Sequence, residues 1–449
     1  MAGLSGGRKT TGMKATISVA MANYIEAGSI VAGAGGLTLW VEYLQLNDVK
    51  VGLLGAVSAN AFGAAIGALI GGYLCDRLGR KFIYTYDLLV YMLGMLLIIA
   101  SVNFPMLLAG YIITGLAVGA GVPASWTYIA EEAPHRKRAA HVGTAQLAWS
   151  FGPVIALLLS VLLAPLGLLG SRIVFAHLFV VAFITWYLRR GLAESKIWEE
   201  EQARSADPSL RKAGSSMQWK DLFKLRLNRR AMYFLLGVYL FWNLTAGAMG
   251  FFMPYIYETV GGIPANQANL LQAVLWIFTV LTTYFVFIRL GDRLNRRMLY
   301  AVSALMGIAA WALLIFAPMT IPVLLMFVLL WGCAAGFGAQ AFYGLWASEL
   351  FATKYRAGAQ GFMFFIARIA VGVWSMIMPV MITTMGFSTA GLLMIIFLAI
   401  AALIGTVYAP DTQGKTLQEI ENDRYQKAYS GVLQTGRIEK SGDSLSGRE

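Results

Sequence analysis

The sequence predicts an all-α membrane protein with twelve transmembrane helices in two pseudo-symmetric bundles of six. Three observations carry that expectation. Of 449 residues, 58% are hydrophobic and 13% charged, against roughly 25% charged in soluble chains. The apolar residues do not alternate at a period of two. They fall in blocks of ~20 residues between short charged stretches, the length that crosses ~30 Å of hydrocarbon. Lys and Arg gather almost entirely at one set of connections. Together these exclude a disordered chain, a coiled coil and an ordinary soluble enzyme.

In order, the blocks place spans near 15–40, 51–74, 82–102, 105–130, 141–165, 170–190, 231–257, 266–289, 298–317, 321–348, 358–384 and 387–409. The tail at 1–14 is polar and basic. It has no small-residue cleavage pattern and precedes a span too long for a signal peptide, so it is expected to stay in place. All but three of the 35 Lys and Arg lie in this tail, at the even-numbered connections or in the C-terminal tail; the exceptions are Lys50, Arg172 and Arg368. Positive residues stay on the cytoplasmic side, so both termini are expected there, in a multi-pass protein of the cell membrane. The net charge of +12 then reads as topology rather than nucleic-acid binding. Residues 191–230 form the one long connection. They separate a bundle at 15–190 from a bundle at 231–409, which a tail at 410–449 follows. Within the linker, 193–204 is a candidate amphipathic helix and 205–216 a flexible stretch. Cys75 and Cys333 fall in a loop motif and a span, which argues against a disulfide framework.

The halves share landmarks. Asp76-Arg77 follows span 2 and Asp292-Arg293 follows span 8, 216 residues on. Glu131 and Arg138 bracket the 4–5 connection; Glu349 and Arg356 bracket the 10–11 connection, 218 residues on. Glu194 ends span 6 and Asp411 ends span 12, 217 residues on. Three coincidences at nearly the same offset indicate a duplicated six-helix unit, a transporter architecture with the solute held between the halves.

These residues carry a family resemblance. Gly72-Tyr-Leu-Cys-Asp76-Arg77-Leu-Gly79-Arg80-Lys81 resembles the signature loop of the major facilitator superfamily. Tyr128-Ile-Ala-Glu131-Glu-Ala-Pro134-His-Arg-Lys-Arg138, Ala193-Glu194-Ser195-Lys-Ile-Trp198 and Pro410-Asp411-Thr412-Gln-Gly414-Lys415-Thr416-Leu417 are similar to segments of its sugar-porter branch. The resemblance spans the chain and implies the major facilitator fold.

Acidic residues and arginines at the helix ends of each half can latch those ends together and release them in turn. The candidates are Gly72, Asp76, Arg77, Gly79, Arg80, Glu131, Arg138, Glu194, Asp292, Arg293, Glu349, Arg356 and Asp411. The bland alternative is that these charges only set topology. Asn295 and Ile288 stand where Gly79 and Gly72 stand in the first half, which suggests a looser latch in the second. Small residues at Gly63-Gly67-Gly71 and Gly115-Gly119 mark close packing, or alternatively a sliding contact between the halves.

Few ionisable residues fall inside spans. Glu26 lies about 18 Å into span 1, near the midplane. A carboxylate there must be protonated or paired, and the first option suits a proton carrier. The segment Tyr24 to Gly33 also resembles span 1 of proton-coupled sugar symporters, with Glu26 in place of an aspartate. Glu26 is therefore the candidate proton-coupling site, or else a structural partner for an arginine. Arg368 lies equally deep in span 11 and keeps its proton. It needs Glu26 or a substrate anion as partner. Asp87 is expected to pair with a loop arginine. His177 reads as structural.

The remaining substrate-binding candidates are neutral: Gln146 and Trp149 in span 5, Trp242, Asn243 and Thr245 in span 7, and Gln340, Tyr343 and Trp346 in span 10. Amides donate and accept to hydroxyl-rich ligands, and aromatics give flat walls. The resemblance places a sugar-binding glutamine at Gln146. It also places two glutamines where Trp242 and Asn243 stand, which weakens a hexose assignment. Packing or interfacial anchoring is the bland role of each tryptophan.

The leading expectation is a proton-coupled symporter for a sugar, polyol or sugar acid, with Arg368 favouring an anion. The alternatives are export of drugs or metabolites by antiport, uniport, and a non-transporting nutrient sensor. No enzyme is expected, with no catalytic residues, no metal site and no cofactor, the proton gradient being the energy source. The partners expected are a small solute, protons and the lipid bilayer, with no nucleic acid, and a monomer as the working unit.

Overall fold

The computed structural model describes residues 13–58, 61–133, 137–189, 194–206 and 219–425. Twelve helices among them are long and apolar enough to cross a membrane. Spans 1 to 6 are Thr16–Gly35, Asp48–Leu78, Arg80–Ile99, Phe104–Glu131, Arg138–Leu162 and Leu168–Arg189. Spans 7 to 12 are Arg226–Thr259, Ala265–Ile288, Arg296–Phe316, Ile321–Glu349, Arg356–Met385 and Phe387–Val407. Expectations for the tails at 1–12 and 426–449, the linker at 207–218 and the motif residues Pro134, His135 and Arg136 fall outside the described residues.

The duplication is visible in the packing. In the first half span 1 packs on 5, span 2 on 4, and span 3 on both 4 and 6. In the second half span 7 packs on 11, span 8 on 10, and span 9 on both 10 and 12. Between the halves span 2 meets span 11 and span 5 meets span 8.

Small residues decide how close these helices come. A Cβ on Gly67 would overlap the Leu116 carbonyl and one on Gly119 the Ala64 carbonyl. The small-residue stripe therefore joins spans 2 and 4 inside one half; it is not a sliding contact between halves. The contact that does cross is made by Gly72 and Gly361, where a Cβ on either would sit 3.1 Å or less from the other span's backbone.

Span 2 consists of two helices, Asp48–Val57 and Phe62–Leu78, and two further spans depart from a continuous α-helix. Span 10 breaks into Ile321–Gly336 and Ala339–Glu349. Span 8 ends in a π-helical segment, Thr283–Ile288, a loosening often found at functional sites. In the linker, Lys196–Ala206 is helical, close to the amphipathic helix expected there.

Candidate functional site

At the face where span 1 begins and span 12 ends, Asp76 near the end of span 2 meets the start of span 11. Its carboxylate accepts from the backbone N–H of Ala357 at 3.3 Å and of Gly358 at 2.5 Å. The first N–H groups of a helix lack partners within it and attract negative charge. Asp292 does the same for span 5, accepting from Ala139 and Ala140 at 3.2 and 3.3 Å. Each half thus caps a helix of the other.

Two glutamates lie inside this frame, both buried. Glu131 takes Arg80 of its own half in two bonds, 2.8 and 3.2 Å, and Arg356 of the other half at 3.0 Å. Ser195 Oγ donates to it at 2.6 Å. Glu349 takes Arg296 of its own half at 3.0 Å and Arg138 of the other at 2.9 Å, and Thr412 Oγ1 donates at 2.6 Å. A buried carboxylate with two guanidiniums and a hydroxyl has its acceptor sites filled. Glu194 caps span 3 by accepting from the N–H of Arg80 and Lys81 at 3.0 Å each, beside Gly79 in its left-handed conformation with φ +96°.

Three candidates do not join this cluster. Arg77, Arg293 and Asp411 are exposed, and Arg77 donates to Tyr73. Their positions repeat in sequence, but Arg77 is exposed at the end of span 2, and Arg293 and Asp411 stand exposed in the loops that follow spans 8 and 12. Arg296, Ser195 and Thr412 were missed, although Arg80 plus the offset of 216 points to Arg296. The second latch is also not looser. Asn295 caps span 9 by accepting from the N–H of Met298 at 3.1 Å. Ile288 faces Gly143, so the small residue has moved to the partner span.

Midway through the molecule, Glu26 and Arg368 meet at 2.6 Å, both buried. Trp149 Nε1 donates to the other Glu26 oxygen at 3.2 Å. Arg368 also lies 5.3 Å from the centre of the Phe364 ring. Arg368 of the pair lines a central cavity of ≈ 20 Å³, together with Trp149, Trp242, Asn243, Trp276, Gln340 and apolar residues such as Ile30 and Val31. Trp276 was missed; it packs edge-on against Trp149 at 5.1 Å across the halves.

The other neutral candidates divide. Gln146 and Gln340 are buried, and the Nε2 of each has no hydrogen-bond partner. Tyr343 stacks on Tyr239 at 4.0 Å with its hydroxyl unpartnered. Thr245 and Trp346 stand away from the cavity. Thr245 donates to the Met394 carbonyl of span 12, and Trp346 is packed among Phe234, Tyr300 and Phe342. Asp87 faces Arg189 at 3.6 Å, at the end of span 6, and His177 bonds the Tyr24 hydroxyl at 3.0 Å. Among the described residues no His, Cys, Asp and Glu group could hold a metal, and Cys75 and Cys333 are unbonded to each other.

This arrangement matches known proteins. The Major Facilitator Superfamily model matches residues 15–370. The chain is 50% identical over 423 residues to the minor myo-inositol transporter IolF of Bacillus subtilis, covering 93% of this chain and 95% of that one. It is 26% identical over 342 residues to the cis,cis-muconate transport protein of Acinetobacter baylyi, covering 73% and 78%. In fold it resembles the proton:xylose symporter XylE bound to 6-bromo-6-deoxy-D-glucose, with a TM-score of 0.76 at 19% identity, covering 91% and 98%. Twelve spans in two repeated halves, latched reciprocally at one face and enclosing a polar centre, belong to a transporter and not to an enzyme: the chain is a member of the major facilitator superfamily, in its sugar-porter-like branch.

Proposed function

We propose that this protein is a proton-coupled symporter of a neutral cyclic polyol, with myo-inositol as the reference solute. It works by alternating access as a monomer in the plasma membrane, with both termini in the cytoplasm, the proton gradient as its energy source and no cofactor. The observation that carries the reading is the buried Glu26–Arg368 pair, whose arginine stands on the wall of the central cavity. With the two charges cancelled, the site suits an uncharged ligand, and the relative at 50% identity is named for myo-inositol.

The chemistry follows from the pair. A proton taken up by Glu26 removes its charge and frees guanidinium N–H groups to donate to solute oxygens. Gln340 and Asn243 on the cavity wall supply further donors and acceptors. Return of the proton restores the pair and expels those oxygens. The loaded, protonated form and the empty, paired form are the two states that can reorient.

A second reading has its own observation. Arg368 itself lines the cavity, and one relative is named for the dicarboxylate muconate. A solute carboxylate would then take the place of Glu26 on Arg368 while Glu26 carries the proton.

The test is external pH recorded while solute is added to cells or proteoliposomes containing the protein, with neutral polyols beside sugar acids. Alkalinisation with myo-inositol that Glu26→Gln abolishes is the expected outcome. Alkalinisation with sugar acids alone establishes the second reading. Tracer uptake without a pH change, unaltered in Glu26→Gln, makes the protein a uniporter.

A further inference from the structure

The face opposite the ion-pair cluster is closed in a different way. Span 1 ends at Gly35, and the last carbonyls of a helix have no partner within it. The Gly35 carbonyl accepts from Asn269 Nδ2 of span 8 at 3.2 Å, a bond that crosses between the halves. A Cβ on Gly35 would lie 3.0 Å from Ser160 Oγ, so spans 1, 5 and 8 converge here.

Beside this convergence is a cavity of ≈ 160 Å³, eight times the central one, lined in part by Gly35, Thr38, Ser160, Ser171, Asn266 and Asn269. Among the described residues that line it, none is charged. Toward the midplane, Asn269, Gln272 and Trp276 recur at i, i+3 and i+7, one face of a helix, and Trp276 reaches the central cavity. Asn269 and Gln272 are buried, yet Asn269 Oδ1 and Gln272 Oε1 accept no hydrogen bond, and Trp276 Nε1 donates none. Unpaired buried amide oxygens are costly to keep. Two of them, in line from a roomy, uncharged cavity toward the centre, match a ligand that brings O–H donors, and Trp276 Nε1 can donate to a ligand oxygen.

We propose that this cavity is an outer solute subsite for a neutral polyhydroxylated compound, with Asn269 as both its reading residue and the outer gate. A solute hydroxyl donates to Asn269 Oδ1, and a solute oxygen replaces the Gly35 carbonyl on Nδ2. That exchange unties span 8 from span 1 and opens the way along Gln272 to Trp276. The inference rests on the polyol-transport reading above, including its orientation, which puts this face outside.

The test uses Asn266→Cys as reporter, an exposed position on the rim of the cavity, in a background of Cys75→Ser and Cys333→Ser. Cells are labelled with a membrane-impermeant maleimide with and without myo-inositol, and uptake is measured in parallel. Myo-inositol is expected to slow labelling, also when Gln340→Leu disables the central cavity. Asn269→Leu is expected to abolish the protection, and Asn269→Ser, a smaller change that keeps a hydroxyl, to weaken it. Protection that vanishes with Gln340→Leu and survives Asn269→Leu overturns the outer subsite, as does absence of protection in protein that takes up myo-inositol. Protection without uptake overturns the transport reading alone, and absence of both overturns both.

Discussion

The 2.6 Å contact of Glu26 and Arg368 places two opposite charges side by side where both side chains are buried. Removing one partner leaves the other uncompensated, which costs about 3–5 kcal/mol for a buried pair. Glu26→Leu and Arg368→Leu are each expected to lower stability in detergent by that order, and the double variant to recover most of it. Simple addition of the two losses would mean that the residues do not act as a pair. Both positions were readable from the sequence because an ionisable group at mid-depth is rare and costly. Their mutual distance was not, since spans 1 and 11 are far apart in the chain. Arg296 escaped because it sits among several positive loop residues, where topology already explains every charge. Asp411 misled because a repeated position fixes a residue's place along the chain and not the direction of its side chain: it stands exposed in the loop after span 12.

Span 2 and span 11 approach through Gly72 and Gly361, and the Asp76 cap on Ala357 and Gly358 needs that approach. Gly361→Leu is expected to hold the spans apart and open the latch. Cys75 reports on this directly: it is fully buried beside Arg80, which donates to its carbonyl at 3.2 Å. Thiol labelling of Cys75 in permeabilised cells should rise by an order of magnitude or more in Gly361→Leu, and unchanged labelling would show that span 2 closes without this contact. The spans themselves were plain in the sequence, because twenty apolar residues in a row have few other meanings. The interruption of span 10 at Phe337 and Gly338 was not. Glycine is common within membrane helices, so its presence does not announce a break.

The two closed faces are built on different chemistry. The face where span 1 begins holds reciprocal ion pairs and helix caps, while an amide–carbonyl bond spans the other. Each half packs within itself in the same pattern, and residues 207–218, which connect the halves in sequence, lie outside the described residues. Residues 1–206 and 219–449, co-expressed as two chains, are therefore expected to co-purify and restore uptake. Failure to co-purify would mean that the linker, and not the latch, holds the halves together. Glu131→Gln combined with Glu349→Gln should weaken that co-purification, because both crossing arginines lose their charged partner while the packing of span 2 on 11 and of span 5 on 8 remains.

The reciprocity of the latch has a consequence for ancestry. Arg138 of the first half meets Glu349 of the second, and Arg356 of the second meets Glu131 of the first. Positions 138 and 356 are equivalents in the repeat, as are 131 and 349. A contact in which a meets b and b meets a is the self-complementary kind that builds two-fold homodimers. A single six-helix ancestor carrying one such glutamate and one such arginine already had both sides of this joint. Fusion of two copies had only to supply a tether, and divergence of the midplane, with Glu26 in one half and Arg368 in the other, could follow without disturbing how the halves close.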